Sequence, residues 1–271
     1  MTKAWNPGVL VIGRDRMFYS GLCGNSGKPR SLGAFSLYLA TEGAFQISTD
    51  EGDWRDCDVA LAAPFQTHRL RAPTGMIHNL GFEPESLSPA AQARLHQIVE
   101  TPTLRAELLH RVRTARGELA GLLPKSGFSN SEFDRLFLQE KLQPRQMDPR
   151  IHRVLETMCV EALDSVISAD DHAAQIGLSQ SRFLFLFKQN TGVTFRSLRM
   201  WKRARRFLDH ANGSNSLTDV ALDLGYPDSS HFSHSIRRTY GLKPRSIREG
   251  SRDLTVYPGA NYTLAPDALA G

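Results

Sequence analysis

The residues best placed to do chemistry in this chain form a polar and cationic set. Ser229, Ser230, His231, Ser233 and His234 stand close together, and Arg237 and Arg238 follow. Hydroxyls and imidazoles can reach base edges, and guanidinium groups can clamp phosphates, so this run has the chemistry of a DNA-reading surface. A second run lies upstream: Gln180, Ser181, Arg182, Leu184, Phe185 and Lys188, with Arg196 beyond it. Leu184 and Phe185 are apolar; they suit thymine methyl groups, or docking on the N-terminal half or a second subunit. Residues 179–248 hold 13 Lys and Arg against 4 Asp and Glu, net +9, whereas the whole chain of 271 residues has 33 against 28, net +5. A cationic excess confined to one segment and interleaved with aromatic residues reads as a nucleic-acid footprint.

Other chemistries lack their residues. Cys23, Cys57 and Cys159 are widely spaced, which gives no disulfide framework or paired zinc motif and fits a reducing cytoplasm. His68 and His78 are the only histidines of the first 82 residues; a metal-binding β-barrel needs more ligands converging on one ion. The expectation is a structural or exposed role for each, with no metal, cofactor or catalytic residue. No apolar run reaches the roughly 18 residues of a membrane span, and the N-terminus has no long apolar run before a cleavage site.

The reading surfaces need elements to hold them, and a repeat supplies these. Ser168 to Gly177 and Ser216 to Gly225 both start Ser-x-x-Asp, carry Ala at the sixth position and stop at Gly, 48 residues apart. The first is a helix-start signature with Asp in place of Glu, and Gly marks a helix stop. Beyond the glycines, Phe183 and Phe187 correspond to Phe232 and Ile236, and Thr191-Gly192 to Tyr240-Gly241. A capped short helix, a Gly turn and a second helix with apolar anchors make a helix-turn-helix. Between the units, Phe195, Leu198, Trp201, Ala204 and Leu208 form one stripe, with Arg196, Arg199, Lys202, Arg203 and Arg206 off it. A helix from Thr194 to about Ala211 would span about 27 Å, the order of the major-groove repeat.

The first half has other periods. Phe35, Leu37 and Leu39, then Phe45 and Ile47, then Val59 and Leu61 alternate with polar or small residues, as in a small β-sandwich or barrel. Leu104, Leu108, Val112, Ala115, Leu119 and Leu122 form a helical stripe, either a domain core or a dimer-forming face. The polar stretch Gln143–Pro149 reads as a linker, and Asp148-Pro149 opens a helix whose face holds Ile151, Val154, Leu155, Met158, Ala162 and Val166.

Residues 148–250 resemble the AraC/XylS family of bacterial transcription regulators. The resemblance rests on Ala173…Gly177-Leu178-Ser179, Ser181-Arg182-Phe183…Leu186-Phe187-Lys188…Thr191-Gly192, Phe195-Arg196, Arg203, Ala221…Gly225-Tyr226, Ser230-His231-Phe232-Ser233 and Arg237-Arg238…Gly241-Leu242-Lys243-Pro244. It implies a seven-helix domain with two helix-turn-helix units flanking a linking helix. The first half is weakly similar to the family's cupin-type effector or dimerisation domain, through Tyr38-Leu39…Glu42-Gly43, Asp58-Val59…Ala63-Pro64 and His68-Arg69. The chain departs from the family pattern at His234, where Arg or Lys is common, and at Leu184 and Phe185, where polar residues are usual. No pocket residue can be carried over.

The expected molecule is an α+β protein of two domains. A cupin-like β-sandwich or barrel with appended helices spans 1–140, a linker 141–148, an all-α domain of two helix-turn-helix units joined by a long helix 149–250, and a tail 251–271. Its expected function is sequence-specific transcription regulation in the cytoplasm through double-stranded DNA. A small effector in the β domain, RNA polymerase and a second copy of the chain are the further partners considered, and no membrane is. The alternatives are a cupin-like metalloenzyme with a DNA-binding appendage and a ligand-independent dimeric regulator.

Overall fold

The alternating positions of the first half become two packed sheets. The computed structural model describes residues 8–23, 27–123, 127–160 and 167–264. Strands β1 (Val9–Ile12), β2 (Arg16–Leu22), β3 (Phe35–Ala40), β4 (Phe45–Thr49), β5 (Arg55–Cys57), β6 (Val59–Ala62), β7 (His68–Arg71) and β8 (Met76–Phe82) come first, and β9 (Thr255–Pro258) comes from the other end of the chain. The larger sheet has the order β6-β3-β8-β2-β1-β9 and the smaller β5-β4-β7. All pairings are antiparallel except the parallel one between β1 and β9.

Successive residues of a strand face opposite sides, so neighbouring cross-strand rows serve different cores. The row Leu61, Leu37, Leu80, Phe18 and Val11 packs with helices α1 (Pro89–Glu100), α2 (Pro102–Leu122) and α3 (Asn130–Leu138). The next row, Ala60, Tyr38, Asn79, Tyr19 and Leu10, looks the other way, towards the smaller sheet and the C-terminal half. Leu108, Val112, Ala115 and Leu119 of the helical stripe are buried in the first core, while Leu104 is half-buried and Leu122 exposed. The stripe therefore serves a domain core.

His68 and His78 are buried structural residues. His68 Nε2 meets the Tyr38 hydroxyl at 2.8 Å and its Nδ1 meets the Gln66 carbonyl at 2.9 Å; His78 Nδ1 meets Ser20 Oγ at 3.0 Å. Burial pulls both imidazoles down to about 4.

The C-terminal half is helical: α4 (Pro149–Val160), α5 (Ala169–Gln175), α6 (Gln180–Thr191), α7 (Phe195–Arg206), α8 (Leu217–Asp223), α9 (Ser229–Tyr240) and α10 (Pro244–Gly250). Ile151, Val154 and Leu155 of α4 are buried with α6 and α7; Ala162 and Val166 lie outside the described residues. The repeat extends to the backbone. Gly177 and Gly225 take φ of 68° and 67°, and Gly192 and Gly241 take 81° and 72°, a left-handed conformation that glycine adopts without strain.

Three segments differ from the sequence expectation. The connecting helix does not run to Ala211: α7 ends at Arg206 and tightens into a 3-10 turn, Phe207–His210, which buries Phe207 against Phe232 with ring centroids 5.3 Å apart. The polar stretch before α4 is hydrogen-bonded to both halves. Ser88 N donates to Gln143 O at 3.0 Å, Arg145 N to Ser86 O at 3.3 Å, and Asp148 N to Asn190 Oδ1 at 2.7 Å. The segment beyond 250 returns to the first half as β9, and Leu264 is buried with Leu10, Ile12 and Met17.

Candidate nucleic-acid interface

The α5/α6 pair is built from its cap and its aromatic anchors. Ser168 Oγ accepts from Asp171 N at 3.1 Å while Asp171 Oδ2 accepts from Ser168 N at 2.9 Å, so two free donors at the start of α5 are satisfied reciprocally. Phe183 and Phe187 are fully buried, each 5.3 Å from the Phe195 ring, and Leu186 is buried beside them. That face fixes the opposite one. Gln180, Ser181, Arg182, Leu184, Phe185 and Lys188 are exposed, and 57% of Phe185 is accessible, with the Arg182 guanidinium 5.5 Å from its ring centre.

The α8/α9 pair repeats the plan with other side chains outside. Phe232 and Ile236 are buried with Phe207, Val220 and Ala221. Asp228 caps α9, its Oδ1 accepting from Ser230 N and His231 N at 2.8 Å each. These bonds, with one from the His231 ring, hold its carboxyl below the usual carboxylate range. Ser229, Ser230, His231, His234, Arg237 and Arg238 are exposed and Ser233 is half-buried. His231 Nδ1 lies 2.7 Å from Asp228 Oδ2, so it carries the donated proton. A neutral His231 then presents Nε2 as an acceptor, which suits an amino group on a base edge.

Helix α7 and α9 bound a cleft of about 710 Å³ that brings together Arg196, His231, His234 and Arg238. The α6 residues are not on it. Two loops of the β half close its other side: Ser31 N donates to the carbonyls of Arg238 and Thr239 at 3.1 Å each, and Phe65 and Thr67 lie nearby.

Not every cation of α7 faces outward. Lys202, placed off the apolar stripe by the sequence, is ion-paired with Glu83 and, at 2.7 Å, with Glu85. Arg205 is buried, with Nε 3.1 Å from Glu83 Oε1, and Trp201 Nε1 donates to the same oxygen at 3.1 Å. Burial alone would raise Glu83, but the charges of Lys202 and Arg205 outweigh it and hold its carboxyl well below the usual range. Burial, reinforced by the charge of Glu83, pushes Glu85 up. The docking is close: a Cβ on Gly33 would stand 2.3 Å from Trp201 Cγ. A buried guanidinium and ammonium need carboxylate partners, and these stand more than 110 residues away in sequence. Local spacing carries no trace of them.

Two capped helix pairs with cationic and polar outer faces define a helix-turn-helix protein. Residues 172–250 match the family model described as a helix-turn-helix domain. Over 88 residues the chain is 40% identical to the HTH-type transcriptional activator RhaS of Escherichia coli O139:H28, covering 31% of each protein. It is 26% identical over 129 residues to the bifunctional transcriptional activator/DNA repair enzyme Ada of Escherichia coli K12, covering 46% of this chain and 35% of Ada. The chain spans about a third of the length of these relatives. Among solved structures, an apo form of ToxT from Vibrio cholerae, carrying one substitution, aligns with 87% of this chain and 97% of its own at 11% identity and a TM-score of 0.49. Through its C-terminal segment the chain is similar to helix-turn-helix transcriptional activators.

Proposed function

We propose that the protein is a sequence-specific transcription regulator that reads one face of double-stranded DNA with α6 and α9, spaced by α7. The observation that carries this is the repeated pair: a shared internal plan, left-handed glycines at matched positions, and an exposed outer face that carries a hydroxyl and cationic side chains each time, with imidazoles added on α9. In a helix-turn-helix the second helix enters the major groove. Gln180, Ser181, Leu184 and Phe185 of α6 and Ser229, Ser230, His231, Ser233 and His234 of α9 are then the base-facing residues. Arg182, Lys188, Arg196, Arg237 and Arg238 are the phosphate-facing ones. The chain works in the cytoplasm, with RNA polymerase as the downstream partner and no catalytic step of its own. The β half is a cupin-like unit that holds a small effector or a second copy of the chain.

The test is the salt dependence of binding to a site selected from random duplexes. Arg182, Lys188, Arg196, Arg237, Arg238 and Arg245 are exposed. About six phosphate contacts give a log–log slope on the order of −5. A flat titration would sink the nucleic-acid reading. Lys202→Gln should leave the slope unchanged, because that ammonium is held by Glu83 and Glu85.

A further inference from the structure

The loop 27–31 joins the smaller sheet to the C-terminal end of α9. On one side it lies along β7: Arg30 N donates to His68 O at 2.9 Å and His68 N to Arg30 O at 3.0 Å. On the other, Ser31 N donates to the carbonyls of Arg238 and Thr239, and a Cβ on Gly241 would stand 3.2 Å from Lys28 O. Pro29 and Ser31 line the cleft that holds Arg196, His231, His234 and Arg238. The order across this surface is therefore β5, β4, β7, loop, α9. Charge follows that order. Arg238 on α9, Lys28 in the loop and Arg71 on β7 are exposed. Among the described residues no carboxylate is ion-paired with any of the three. The acidic side of the sheet is the far one: Asp56 on β5 faces Gln46 of β4, and Gln46 in turn faces Arg71. Asp50 lies beyond the His68 end of β7 and accepts from Gln66 Nε2 at 2.7 Å.

Arg71 is oriented by its neighbours. Its guanidinium carbon stands 4.1 Å from the centre of the Trp54 ring, and that of Arg69 5.4 Å. Gly27, at a φ of 57°, brings the loop past it: a Cβ there would stand 3.3 Å from Arg71 Nε. A guanidinium stacked on an aromatic face keeps its edge N–H groups free, and that edge matches a phosphate. The loop is also held in its place beside α9, because Lys202 and Arg205 tie α7 to Glu83 and β9 pairs with β1. We propose that the phosphate-binding surface of α9 continues onto the β half through Lys28 and Arg71, which meet the backbone of the duplex flanking the α9 site. The partner is double-stranded DNA of any sequence in that flank, since phosphate contacts position a protein without reading bases. The inference rests on the regulator reading above and adds to it a cationic contact from outside the helix-turn-helix units.

The experiment is a salt titration of DNA binding by the full chain and by the double variant Lys28→Gln/Arg71→Gln, on two duplexes. Both carry the selected site. One extends about ten base pairs, one helical turn, beyond its α9 side, and the other is trimmed at that edge. Each phosphate contact contributes about 0.9 to the log–log slope, so on the long duplex the double variant should be shallower than the parent by about 1.8. Its loss of affinity should be alike on selected and random sequence. On the trimmed duplex the two proteins should agree. Lys28→Gln alone, which leaves the Trp54 stack intact, should account for about 0.9 and keeps the test open if the double variant does not fold. Asp56→Asn, on the far strand, should leave the slope unchanged. Equal slopes on the long duplex overturn the surface, and so does a difference that persists on the trimmed one. A steep parent slope that the variants leave unaltered removes this contact alone; a flat titration of the parent overturns the regulator reading with it.

Discussion

The two helix pairs share an interior and differ outside. Phe183 and Phe187 in one, Phe232 and Ile236 in the other, occupy matched positions and are all 1% exposed or less. Outward, α6 presents Leu184 and Phe185 where α9 presents Ser233 and His234. The inner positions are constrained by packing against a partner helix, so they tolerate only apolar side chains of similar volume. The exposed outer positions are free of that packing constraint, so their side chains can differ. A duplicated scaffold can thus hold two different outer faces, one with apolar side chains where the other has polar ones.

The largest expected effects test the shared interior. Phe183→Ala and Phe232→Ala each remove a fully buried ring, and each should cost roughly 3–5 kcal/mol in denaturant unfolding. Similar losses support equivalent cores. A near-zero loss at one site would break the equivalence.

Histidine draws the same contrast between the halves. His231 and His234 are exposed on α9, whereas His68 and His78 are buried in the β half. Burial lowers both buried imidazoles to about 4 from an ordinary value of 6.5. A depressed folded value means that the unfolded chain takes up protons first on acidification. Stability is therefore fully present above pH 6.5 and falls as pH drops towards 4, by up to roughly 3 kcal/mol for each histidine. Urea midpoints across that range check this. His78→Gln should flatten the fall, and a profile identical to the parent's would remove His78 from the account.

The outer faces give smaller effects that separate the readers. His234→Ala should cost roughly 1–3 kcal/mol on the selected site and little on random DNA, because a base contact carries discrimination. Equal losses on both would place His234 on the backbone, with Arg237 and Arg238.

The sequence was most legible where structure is local. The caps at Ser168 and Ser216, the Phe183 and Phe232 stripes and the left-handed glycines follow from spacings of three or four residues and from turn chemistry. Long-range partners were not legible. On the helical wheel Lys202 falls between Leu198 and Phe195 while Arg196 lies outside the apolar arc, but no local spacing names Glu83 and Glu85, the carboxylates that hold Lys202. Thr255–Pro258 carries no turn signal or long alternation, and it is a strand because β1 offers an unpaired edge. The connecting helix stopped short because Phe207, outside the expected stripe, found a core of its own beside Phe232.

The smallest effect is the most specific. Phe185 is 57% exposed and Leu184 38%, beside Ser181 and Lys188 on the same helix. Two large apolar side chains side by side on one exposed face gain when a partner covers them. Thymine methyl groups are the apolar feature a major groove offers. Burying one methyl is worth about 0.8 kcal/mol, so Phe185→Ala should weaken binding to the selected site by about that amount for each thymine touched. The comparison that decides is base preference: with single T·A to C·G changes in the half-site facing α6, the parent should lose affinity at one or two positions and Phe185→Ala should be indifferent there. The same changes facing α9 should affect both proteins alike, since α9 keeps its own readers. If Phe185→Ala retains full preference at every thymine but alters the oligomeric state, the apolar face of α6 is a docking surface and α9 alone reads bases.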